Sequence, residues 1–130
     1  MFIYSTTSEL QGTINEHHDD VIVLIDRQAK GERGLIDTMA LALKSPYKDD
    51  NWDGITEVLI DPFWLDGKIV RIIHYELPDL SNDEMKTYVS ILKYIDEAWK
   101  NKSSRSAGRH CSDLIIYFNS EYKEYVESLI

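Results

Sequence analysis

Two carboxylates, Asp53 and Glu57, stand four residues apart within Pro46-Tyr47-Lys48-Asp49-Asp50-Asn51-Trp52-Asp53-Gly54-Ile55-Thr56-Glu57-Val58-Leu59, a stretch holding four acids. On a helix that spacing puts both on one face, one turn apart. Ile55, Val58 and Leu59 then fall on the opposite side and hold the helix against a core. Asp50 or Asn51 is placed to cap its start. Such a pair has three uses. It can act as general acid and base, or hold a divalent ion. It can enter a cationic cleft that a partner built for phosphate. It can also simply face solvent. Catalysis would need a pocket that pushes one pKa away from the other, and the sequence gives no sign of one.

Other chemistry-bearing residues are less promising. His17-His18-Asp19-Asp20 invites a metal, but neighbouring residues do not converge easily on one ion, and no second cluster has zinc-site spacing. A solvated polar loop is the expectation there. Gly31-Glu32-Arg33-Gly34 has neither dinucleotide nor P-loop spacing, and no Gly-x-Ser-x-Gly elbow occurs. His110 and Cys111 adjoin without defining a nucleophile and base. Cys111 reads as a small buried hydrophobe. His74, at the end of an apolar run, reads as a surface or hydrogen-bonded histidine. No catalytic residue, metal or cofactor is expected.

The chain has 130 residues, 14 basic against 23 acidic, for a net charge of −9. That size fits one domain with its own core. The balance argues against nucleic acid as a partner, because phosphates must be neutralised by basic surface. It suits solubility and electrostatic steering toward a basic protein. No apolar run approaches the length of a membrane span, and Met1-Phe2-Ile3-Tyr4-Ser5 lacks the pattern of a signal peptide. A single cysteine allows no internal disulfide, which fits a reducing compartment. A cytoplasmic location is the expectation.

The elements that must carry the acids follow from periodicity. Val21 to Ile25 is a β-branched run typical of a strand buried on both faces. Residues 26–34 read as a loop, and Leu35 to Lys44 as a helix with Leu35, Ile36, Met39 and Leu43 inward. Pro46 ends it. The acidic helix runs to about Asp61-Pro62, and Asp66-Gly67 marks a turn after Phe63-Trp64-Leu65. Ile69 to His74 is a second strand. Ser81-Asn82-Asp83-Glu84 is a capping box, opening a helix with Met85, Tyr88, Val89, Leu92, Ile95 and Trp99 at steps of three and four. Residues 101–110 read as a polar loop, Leu114 to Phe118 as a third strand, and Glu121 to Leu129 as a short helix. Strands alternating with helices imply an α/β fold with a small three-stranded parallel sheet. Residues 1–20 read as an N-terminal extension of irregular surface, with one short strand at Phe2-Ile3-Tyr4; residues 21–130 form the domain proper.

The pattern Tyr47-x-x-x-Asn51-Trp52-Asp53-Gly54-Ile55-x-x-x-Leu59, after a helix and a proline, resembles the barstar family of ribonuclease inhibitors. The similarity extends through Trp64-Leu65, the strand Ile69 to His74, the helix Leu92 to Trp99 with Asp96-Glu97-Ala98, and the strand Leu114 to Phe118. It covers roughly residues 21–118. It implies three parallel strands packed by helices, and an immunity protein that plugs the active site of a basic ribonuclease or ribonuclease toxin. Binding, not turnover, would be the mechanism. The contact residues it implies are Tyr47, Asp53, Glu57 and Glu97, with Asp49, Asp50 and Asn51 completing the loop. It also implies a one-to-one complex and a monomer when free. Glu57 stands where the prototype has an aspartate, one methylene shorter. Asp49 replaces the usual glycine, and Gly54 an alanine. Residues 1–20 and the tail after Phe118 have no full counterpart. The alternative is a non-inhibitory regulatory or scaffold module that uses the same acidic face on another basic protein.

Overall fold

The computed structural model describes residues 2–46, 51–62, 64–65, 67–103 and 113–130. In chain order it has β1 (Ile3–Ser5), α1 (Thr7–Glu16), β2 (Val21–Ile25), α2 (Gly31–Leu43), α3 (Trp52–Ile60), β3 (Ile69–His74), α4 (Asn82–Ser103), β4 (Asp113–Asn119), a 3-10 turn at Ser120–Tyr122 and α5 (Lys123–Ser128). The fold is α/β. All strands are parallel, in the order β1-β4-β3-β2. The sheet therefore has four strands rather than the expected three, the extra one being β1, paired with β4 from Ile3 opposite Tyr117 to Ser5 opposite Asn119.

From β1 the chain crosses to the far edge and then steps back through β3 to β4. Because such crossovers share one hand, reversing direction sends helices to opposite faces. The side chains agree. Val70, Ile72, Leu114, Ile116 and Phe118 join the inner stripes of α2, α3 and α4 in the main core. Ile73 and Tyr117 point the other way, onto Leu10 of α1, with Ile14, Ile22 and Ile115 around them.

Residues 7–16, expected to be irregular, are thus a helix. Thr6 and Glu9 form a reciprocal capping box, Thr6 N–H donating to Glu9 Oε1 at 2.7 Å and Glu9 N–H to Thr6 Oγ1 at 3.2 Å. Helix α2 begins four residues earlier than its apolar stripe suggests. Gly31 takes φ +66° at its start, and its N–H is satisfied by the Asp79 carbonyl at 2.9 Å. Partners distant in sequence thus support a glycine-containing first turn that local signals read as loop. β2 is an edge strand, not buried on both faces: Val23 and Ile25 enter the core, while Leu24 is 44% exposed.

Candidate functional site

Helix α3 carries the acids as the spacing required. Asn51 caps it, its side-chain oxygen accepting the Gly54 N–H at 2.8 Å. Ile55, Val58 and Leu59 are buried, and Asp53 and Glu57 are exposed. Neither acid forms an ion pair among the described residues.

The helix is held at both ends. The Trp52 indole stacks on Tyr88 of α4, centroids 6.0 Å apart. The Trp52 N–H donates to Glu32 Oε2 at 3.2 Å. Near the other end, Trp99 Nε1 donates to the Leu59 carbonyl at 2.9 Å. A helix this short would be marginal alone; these tertiary contacts make it a rigid mount for its acids.

Asp53 opens onto a groove of about 600 Å³ between α3 and α4, lined also by Thr56, Asp83, Lys86, Ser90 and Tyr94. Tyr94 is 58% exposed. Nothing in the sequence singled it out, since it lies off the inward stripe of α4; only its proximity to Asp53 gives it interest. Glu97, one turn further along α4, is exposed but lines a different depression of about 370 Å³, with Phe2, Tyr4, Lys93, Lys123 and Glu127. Asp53 and Glu97 therefore sit on neighbouring surfaces rather than in one groove. Burial and the nearby Glu127 carboxylate push the Tyr4 hydroxyl up to about 12. Tyr47, Asp49 and Asp50, together with His110 and Cys111, lie outside the described residues.

His74 and His17 are used structurally. His74 is fully buried, bonded to the Tyr117 carbonyl through Nδ1 at 2.7 Å and to the Tyr88 hydroxyl through Nε2 at 2.6 Å. On the α1 side, Arg71 is buried and donates through Nε to Asp20 Oδ2 at 2.8 Å. It also bonds the Tyr117 hydroxyl, and its Nη2 lies 3.3 Å from His17 Nδ1. His17 and Asp20, half of the run that suggested a metal, thus surround a guanidinium. Among the described residues, no three His, Cys, Asp or Glu side chains gather as a metal site would require. No helix in the described residues is long and apolar enough to cross a membrane.

No family model matches the chain, and no curated protein or solved structure matches it either.

Proposed function

We propose that this chain is a barstar-like inhibitor of a basic ribonuclease or ribonuclease toxin, acting by occlusion and not by turnover. The observation that carries the reading is a pair of exposed carboxylates, Asp53 and Glu57, without a basic partner among the described residues, on a helix clamped at both ends. Unpaired acids on a rigid mount keep their charge available for a partner's cations and lose little freedom on docking. In the proposed complex they stand in for substrate phosphates, and Tyr47 packs against the enzyme's base-binding surface. Glu97 adds a flanking ion pair. The net charge of −9 would speed encounter with a basic enzyme.

The test is calorimetric titration into a basic ribonuclease toxin domain encoded beside this chain, or into a barnase-type ribonuclease. Nanomolar or tighter affinity is expected, weakening steeply with salt. Asp53→Ala should cost a few kcal/mol of affinity, as central charged anchors do, with little change in melting temperature. A variant that melts early while its folded fraction binds as before would make Asp53 a structural acid and sink the proposal. Failure to bind a neighbouring ribonuclease would transfer the acidic face to a different basic protein.

A further inference from the structure

The first turns of α2, α3 and α4 meet above the sheet's carboxyl edge, where each helix presents amides that its own backbone cannot satisfy. Two carboxylates answer them in series. Glu84 accepts the Ser81 N–H at 2.9 Å through Oε1, which is the local capping box. Through Oε2 it also accepts the Glu32 N–H of α2 at 3.2 Å. Glu32 in turn accepts the Trp52 N–H of α3 at 3.2 Å. Both backbone bonds hold the Glu84 carboxyl below its ordinary pKa.

Trp52 is the residue immediately before Asp53. Its peptide is fixed by Glu32 and its ring by Tyr88. The local cap, Asn51, serves Gly54 and leaves the Trp52 amide to Glu32. A rotation of that peptide would swing the backbone that presents Asp53.

We propose that Glu32 is a positioning residue for the acidic helix: its carboxylate fixes the first turn of α3 and so the placement of Asp53. The consequence for affinity rests on the inhibitor reading above; the placement itself does not. A second tie between the underlying loops, the Asp79 N–H donating to the Ala29 carbonyl at 2.8 Å, keeps α2 and α4 in register. Glu32 therefore acts from a fixed base.

The deciding experiment is amide hydrogen exchange by NMR on the full chain. In Glu32→Ala the Trp52 amide should exchange about tenfold faster, as loss of a bond to a charged acceptor implies, and its proton resonance should move upfield. Exchange at Ile72 and Leu92 should stay at the wild-type rate. Glu32→Gln retains a side-chain carbonyl acceptor and should keep most of the protection, a rescue that generic loosening would not show. If Glu32→Ala does not fold, Glu32→Asp, one methylene too short, takes its place. Unchanged Trp52 exchange in the variant, or no recovery with glutamine, overturns the proposal. With a barnase-type ribonuclease as probe, Glu32→Ala should speed dissociation more than it slows association. If the wild-type chain does not bind that enzyme, its target is a different ribonuclease, and the exchange result still decides the role of Glu32.

Discussion

The Nε2 atom of His74 accepts the hydroxyl hydrogen of Tyr88 at 2.6 Å, and the opposite ring nitrogen dictates this direction. Nδ1 faces the Tyr117 carbonyl oxygen at 2.7 Å, which can only accept, so the hydrogen of the neutral ring sits there. The ring also stacks on Phe118, with centroids 4.0 Å apart and planes 8° apart. Burial lowers the imidazole to about 4, against a weaker opposing effect of the Tyr117 bond. The unfolded chain would take up this proton near its ordinary pKa of about 6.5. Stability from this group is therefore complete above that value and is lost as pH falls toward 4. The full contribution is about 3 kcal/mol. Urea denaturation across that window should show the loss, and the His74 ring protons should stay unshifted in NMR down to about pH 5. A ring that titrates near its ordinary value would contradict the buried neutral state.

The back of the sheet offers a second test. Leu10 is completely buried against Ile73 and Tyr117. Leu10→Ala should cost about 3 kcal/mol, the usual range for a cavity left in a packed core. A loss within experimental error would mean that α1 is dispensable.

In the same helix, a Cβ at Gly12 would meet nothing within 4 Å beyond the helix's own nearby backbone. Gly12→Ala should raise stability by about 0.5–1 kcal/mol, by restricting the unfolded chain and improving helix propensity. Chemical denaturation with an unchanged m-value would check it.

Glu57 and Glu97 should differ in effect on ribonuclease binding. Glu57 shares α3 with Asp53, whereas Glu97 lines the neighbouring depression beside Lys93. Glu57→Ala is expected to slow association and weaken affinity by about 2 kcal/mol or more, and Glu97→Ala by under about 1 kcal/mol, as rim charges usually do. Stopped-flow association at low and high salt would separate them. Equal losses would place both acids in one contact.

Much of the main core was legible because its signals are local. The stripe of α4 rests on steps of three and four, and the Ser81–Glu84 box on residues within one turn, and both stand as read; of the two caps offered for α3, Asp50 or Asn51, the structure uses Asn51. The Thr6–Glu9 box was equally local but preceded a weakly apolar helix, whose single fully buried side chain is Leu10. One inward residue makes no stripe. The start of α2 was hidden for another reason: its amides are met by Asp79 and Glu84, some fifty positions away. Within the candidate site the spacing of Asp53 and Glu57 was readable, but the proximity of Tyr94 was not, since it depends on how α3 and α4 cross.

β1 lies beside β4, so an early strand waits for a late one. While the chain is being synthesised, β2 and β3 can pair with α2 and α3 laid over them. Leu10 and Ile14, however, have no complete seat until Ile115 and Tyr117 emerge. Contacts so far apart in sequence close slowly, because the entropy of the intervening loop is lost before the ladder forms. A nascent chain halted short of Asp113 would leave the apolar side of α1 only partly covered, a state that chaperones and proteases can recognise.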